Sequence, residues 1–210
     1  MTRIELTKYA EIIKNKTNID VKNLFEIGSR HGKDADWLSK QFNIQPSNVY
    51  IFEAHSVFFS EIKEKYKDIN VYHKAVFSEN GEIEFNEALA ADDGRSSVMQ
   101  RDIYGNNFTK KTVECKRMDT IMQEMNIEKI DMLKLDVEGA AYEVLQGFGK
   151  RISDLKSIQI ESEQYQVWEH QKTWEDIQQF MIKNNFICLW DIKVGSTQND
   201  SVWVQKEYVL

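Results

Sequence analysis

From the amino terminus, Leu6, Tyr9, Ala10 and Ile13 fall at i, i+3, i+4 and i+7, one face of a leading helix within residues 1–20. Beyond it the period changes. Apolar runs of strand length occur at 21–27, 48–53, 69–77, 130–136, 156–161, 185–192 and 201–206. Between several of them the spacing becomes helical: Ala35, Leu38 and Phe42 share a face, as do Phe59, Ile62 and Tyr66, and Ala141, Val144, Leu145 and Phe148. Thr173, three residues before Asp176, is the start signal of a further helix whose stripe is Trp174, Ile177 and Met181. Strands that alternate with crossover helices pair in parallel, and right-handed crossovers place helices on both faces of one sheet. The expected fold class is α/β: a doubly wound, mostly parallel seven-stranded sheet.

Two stretches break the rhythm. The polar residues 193–200 between the last two runs suit a hairpin loop, which makes the last strand antiparallel. Ser78 to Gly81 reads as a turn, and 88–110 is polar, contains glycine and keeps no period, the character of a mobile or functional loop. No internal repeat or low-complexity tract occurs, and the single proline, Pro46, precedes the second strand run.

A length of 210 residues and 41% apolar content suit one domain, 1–210, around one core. Acidic residues outnumber basic ones by 34 to 27, the formal charge is -7, and no Lys/Arg block interrupts the excess, so no nucleic-acid partner is expected. The longest apolar run, Phe186 to Trp190, is too short to span a bilayer. Residues 1–20 lack the apolar stretch of an export signal, so a cytoplasmic location is expected. Cys115 and Cys188 have no metal-ligand spacing and are expected as buried thiols.

Candidate chemistry begins at Leu24–Gly32, which runs from a strand end through a glycine turn into a helix. In open α/β sheets ligands sit beyond the carboxyl ends of the strands, and Gly28 and Gly32 allow close backbone approach. The spacing is G-x-x-x-G with Glu26 before it, not the three-glycine pattern of dinucleotide sites. A carboxylate there repels a pyrophosphate and attracts a cationic group, such as the amino group of a methionine moiety. Glu53 ends the second strand, where it can accept ribose hydroxyls. These residues describe a positively charged nucleoside ligand. The alternative is that the glycines only make a turn and the two acids are solvated strand ends.

The most informative stretch is Ile130 to Gly147, in which Asp136 ends a strand, Glu138 sits in a short turn, and a helix opens near Ala140. Paired acids at the carboxyl edge of a sheet can orient a hydroxyl, take its proton or hold a divalent ion. This segment resembles the motif of the FkbM-type S-adenosylmethionine-dependent methyltransferases. The resemblance covers about Leu24 to Lys206 and includes the Gly28 to Gly32 turn, Phe52-Glu53, Ala75-Val76 with Gly81, Ser96-Ser97 and Met118-Asp119. The long motif is specific and the others are weak alone. Glu26 stands where the family more often has Asp, Ser29-Arg30 where it has an Ala-Asn pair, and Ala54 where a Pro often follows the acid.

The resemblance implies a Rossmann-like domain that binds S-adenosylmethionine and methylates a hydroxyl of a sugar, a glycan precursor or a secondary metabolite. Such transfer needs an oxygen held in line with the methyl–sulfur bond and a base for its proton. Asp136 is the first candidate for orienting or deprotonating the acceptor, Glu138 the second and Glu161, at the end of the fifth strand run, the third; His170 is an alternative base. Cofactor contacts are expected from Glu26, Gly28, Ser29, Arg30, Gly32, Glu53, Ala54, Ala75, Val76, Ser97 and Asp136. Asp136 can also cap the following turn, Glu138 can serve only the backbone path, and Trp168 and Trp174 can be packing residues. Lys134, inside a strand, needs a partner such as Asp131 or Glu161. Asp136 and Glu161 are two scattered carboxylates, so no metal is expected. Segment 88–110, with Asp92, Asp93, Arg95, Ser96 and Ser97, is expected to act as a lid. The leading helix and exposed aromatics offer a surface for a homodimer. Rival readings are an NAD(P)-dependent oxidoreductase on the same architecture and a catalytically silent scaffold.

Overall fold

The computed structural model describes residues 4–88, 95–100 and 108–210. Its main sheet has seven strands in the order β3-β2-β1-β7-β8-β10-β9: β1 (Leu24–Ile27), β2 (Val49–Glu53), β3 (Asn70–His73), β7 (Met132–Leu135), β8 (Ser157–Glu163), β9 (Phe186–Val194) and β10 (Gln198–Gln205). Strands β3, β2, β1, β7 and β8 run parallel to one another, and β10 runs antiparallel to both β8 and β9. The antiparallel last strand is therefore inserted between β8 and β9. The expected loop at 193–200 is shorter than the polar residues suggested, because both strands extend into it and only residues 195–197 turn. Glu161 likewise lies inside β8 and not at its end, since pairing with Asp200 carries the strand on to Glu163.

Helices cover both faces. α1 (Ile4–Lys16), α2 (Lys33–Gln41) and α3 (Ser56–Lys65) bury Leu6, Tyr9, Ile13, Leu38 and Ile62 against one face. α4 (Met118–Glu124), α5 (Ala141–Gln146) and α6 (Trp174–Lys183) bury Met118, Ile121, Val144, Leu145, Ile177 and Met181 against the other. The Thr173–Asp176 capping box opens α6. The stripe of α1 packs inward, with Tyr9 Oη 2.9 Å from Ser157 Oγ and accepting from Leu133 N, so this helix is a layer of the core and its stripe is not a free dimer surface. Cys115 is buried and Cys188 only partly so; both are free thiols.

The central strands read as nearly continuous apolar runs because parallel strands are covered on both faces. Their two charges, Glu26 in β1 and Lys134 in β7, are register partners, which makes their burial tolerable.

The irregular stretch holds structure that the pattern did not reveal. Run 69–77 breaks at Lys74: β3 stays in the main sheet, and β4 (Ala75–Val76) joins β5 (Gly81–Ala88) and β6 (Phe108–Lys116) in a second sheet ordered β4-β6-β5. Among the described residues its buried apolar cluster is Ala75, Phe85, Val113 and Cys115, and polar Asn86 and Glu87 are buried beside Phe85, so the strands resemble loop in sequence. α4 was missed for a similar reason, being seven residues long. Of the expected lid, residues 89–94 and 101–107, with Asp92 and Asp93, lie outside the described residues. Among those described, Asn86 and Ser97 form an antiparallel bridge that ties 95–100 to β5. No described helix is long and apolar enough to cross a membrane.

Candidate active site

The chain order reverses between β1 and β7, which places a crevice beyond their carboxyl ends. A cavity of about 380 Å³ lies there. Phe52, Phe58, Ala75, Val76 and Phe85 give it an apolar wall on the β2 and second-sheet side. Six carboxylates (Glu5, Asp34, Glu53, Asp136, Glu138 and Glu161) line it, against four Lys or Arg side chains. An apolar slot beside an acidic face fits an aromatic base joined to a cationic group.

The glycine turn contributes differently from expectation. Gly28 has φ 76°, and a Cβ there would lie 1.7 Å from the carbonyl oxygen of Asp136. Gly28 N donates to Phe52 O and Asp136 N to Ile27 O, so the turn is clasped between β2 and β7. At Gly32 (φ 68°) a Cβ would meet the Tyr66 ring at 2.8 Å, and Gly32 does not line the cavity. The missing side chains thus make room for the protein itself, and Ser29 and Arg30 face the cavity.

Glu26 is also displaced from its expected role. It is 0% exposed and lies beneath the turn, where it accepts from Ala35 N and stands 3.8 Å from Lys134 Nζ. Burial pushes its carboxyl up to about 8, against the pull of Lys134. It does not line the cavity. Glu53 Oε2 accepts from Ser29 N (3.0 Å) and Arg30 N (2.7 Å), and Oε1 from His55 N (2.8 Å). Burial still raises its pKa, outweighing these three bonds. A carboxylate has about four acceptor positions, so one remains on Oε1 for a ribose hydroxyl.

Just past β7 and on β8, Asp136, Glu138 and Glu161 each offer an oxygen within 4.8 Å of the others. Lys134 Nζ lies 3.1 Å from Asp136 and 3.3 Å from Asp34. Burial alone would lower this lysine, but Asp136, Glu26, Asp34 and Glu161 hold it well above the ordinary value. Asp131, expected as its partner, instead pairs with Lys156 and accepts from Lys22 N and Asn23 N. Glu161 is pushed well above the carboxylate range by burial, then by Asp136, Glu138 and Asp200. The two scattered carboxylates of the sequence are thus a trio, whose hard oxygens suit an acceptor hydroxyl or a divalent ion.

Other expected residues sort by position. Ala54, Ala75 and Val76 line the cavity. Ser97 is buried below it and donates to Glu138 O at 2.6 Å, so it props the turn that carries Glu138. That turn has positive φ at Glu138 and Gly139, and the buried Trp168 indole fills the space beside Gly139. His170 is exposed and does not line the cavity, because Gln171 gathers Val167 N and Trp168 N into a tight turn that carries the imidazole outward. Residues missed by sequence reading include Glu5, Asp34, His55, Phe58 and Lys74. Asp34 sits two positions after Gly32 in the first turn of α2 and was legible; Glu5 was not, since nothing local fixes how α1 docks.

The sequence pattern described as the methyltransferase FkbM domain matches residues 26–188, most of the chain and all of the elements above from Glu26 through Cys188. The chain belongs to the FkbM methyltransferase family. This FkbM protein is accordingly a methyltransferase. Among solved structures it is similar to methyltransferase FkbM from Methylobacillus flagellatus, with 12% identity, TM-score 0.55, and coverage of 87% of this chain and 44% of that one. It is similar also to M. capricolum TrmK in complex with S-adenosyl-homocysteine, with 12% identity, TM-score 0.52, and coverage of 98% and 69%. A putative sarcosine dimethylglycine methyltransferase from Galdieria sulphuraria gives 8% identity, TM-score 0.54, and coverage of 98% and 86%. At such identities the likeness concerns the fold. No curated protein sequence matches the chain.

Proposed function

We propose that this FkbM protein is a single-domain O-methyltransferase acting on a hydroxyl of a sugar, a glycan precursor or another small polyhydroxyl molecule. The observation that carries the reading is the Asp136, Glu138 and Glu161 trio opening into the same cavity as the glycine turn. S-adenosylmethionine, when bound, supplies an electrophilic methyl group on a sulfonium. The residues do the rest. The apolar wall from Phe52 to Phe85 takes the base, the free position on Glu53 takes a ribose hydroxyl, and the acidic face takes the cationic end.

On the acceptor side, Asp136 is held by Lys134 and orients the hydroxyl as an acceptor of its hydrogen bond. Glu161 is the better proton acceptor of the trio, because its raised pKa brings it nearer to the operating pH than an ordinary carboxylate. Glu138 completes the enclosure. A pyrophosphate would meet six carboxylates here, which weighs against a nicotinamide-dependent oxidoreductase.

The test is a labelled-methyl transfer screen across nucleotide-activated sugars and other hydroxyl compounds, with and without chelator. Transfer to at least one hydroxyl acceptor, lost in Asp136→Asn, is expected. Transfer confined to amine or thiol acceptors would overturn the hydroxyl reading, and loss of transfer on chelation would assign a divalent ion to the trio. Heat on titration with NAD and none with S-adenosylhomocysteine would favour the oxidoreductase.

A further inference from the structure

β9 is an edge strand: it pairs with β10 and with no other described strand. Exposed edges present unpaired N–H and C=O groups, and proteins usually shorten, bend or interrupt them. This one is nine residues long and contains no proline; its register with β10 shifts at Leu189, and the five residues beyond that, Trp190 to Val194, run on without a break. Ile192 and Val194 in its outer half are 42% and 41% exposed, two of the few large apolar side chains so placed. Asp191 and Lys193 alternate with them and are exposed on the opposite face. Ile192 stands opposite Asp200 on β10, and Val194 opposite Gln198.

The outer half, Trp190-Asp191-Ile192-Lys193-Val194, is complementary to itself when read antiparallel. Centred on Ile192, the pairing sets Ile192 against its own equivalent, Asp191 against Lys193 and Trp190 against Val194. All apolar positions then share one face, and two ion pairs form on the other. Other registers fail. A slip of one residue opposes Trp190 to Lys193 and Asp191 to Ile192. A slip of two opposes Asp191 to Asp191 or Lys193 to Lys193.

We propose that β9 is a dimerisation edge, at which two copies of this chain pair antiparallel about a two-fold axis through Ile192 and continue one sheet through both. This is independent of the methyl-transfer reading, since β9 lies at the far side of β8 and β10 from the cavity. A short strand pair is a small interface, so the association is weak, in the micromolar range.

Sedimentation of the full chain over a range of concentrations tests it. A reversible monomer–dimer equilibrium is expected. Asp191→Lys and Lys193→Asp should each weaken it about tenfold, because each turns two opposite-charge pairs into like-charge pairs. The double variant should recover it, with methyl transfer and melting temperature unchanged throughout. Protection of β9 amides in hydrogen exchange should rise with concentration in the unaltered protein, a reading that needs no variant. A monomer at all concentrations, a dimer indifferent to both single changes, or a double variant as weak as the singles would each overturn the proposal.

Discussion

The two halves of the crevice use carboxylates in opposite ways. At the β1–β2 end, Glu26 and Glu53 are buried under or into the backbone and accept from Ala35 N, Ser29 N, Arg30 N and His55 N. At the β7–β8 end, Asp136 and Glu161 face the cavity and their neighbours are other side chains. The first pair holds a loop in shape; the second is open to a reactant. A carboxylate that accepts from backbone N–H groups is held in place, whereas one facing the cavity among other acids can pass a proton to or from a reactant. The strand-end position that made all four look alike in sequence says nothing about this difference.

The largest effect that separates the halves is expected at Gly28. Gly28→Ala forces a Cβ onto the Asp136 carbonyl at positive φ, and should cost about 4 kcal/mol or prevent folding, measured by urea denaturation. A near-neutral result would mean that β7 and the turn are not clasped. Next is Glu161→Gln, which should lower methyl transfer about a hundredfold with S-adenosylhomocysteine affinity and melting temperature little changed. The rate of the unaltered enzyme should rise with pH along a limb set above the ordinary carboxylate range, since the base must be deprotonated. His170→Ala should leave the rate unchanged; a loss there would return the imidazole to the mechanism.

A smaller effect per pH unit is expected at Glu26. Its folded value of about 8 lies above the ordinary 4.5, so the folded state keeps a proton that the unfolded state has released between these values. Stability therefore falls as pH rises through that window, by at most about 1.4 kcal/mol per pH unit from this group. Glu26→Gln should flatten that slope in denaturation curves taken from pH 5 to 8. An unchanged slope would place the charge of Glu26 on the open side of the comparison.

The central strands were legible because burial on both faces leaves short apolar runs, and the edge strands β3 and β9 because each still carries one apolar run. The second sheet was not, since its few buried apolar residues, Phe85, Val113 and Cys115, stand among charged and polar ones, of which Asn86 and Glu87 are themselves buried. The candidate site was legible along the chain and less so in depth. Asp136, Glu138, Glu161, Glu53 and the turn do meet at one cavity, yet local pattern could not tell that Glu26 lies under it, that Ser97 braces it from below, or that His170 turns away. Those facts depend on how distant segments stack, and no window of sequence holds them.

The insertion of β10 between β8 and β9 has a consequence for assembly. Those two strands touch only through the third, so until Gln198–Gln205 leaves the ribosome the nascent sheet ends at β8, with β9 lacking its partner. Sealing this gap joins residues far apart in the chain, since Asn18 N donates to Tyr208 O and Leu210 N to Lys16 O just beyond it.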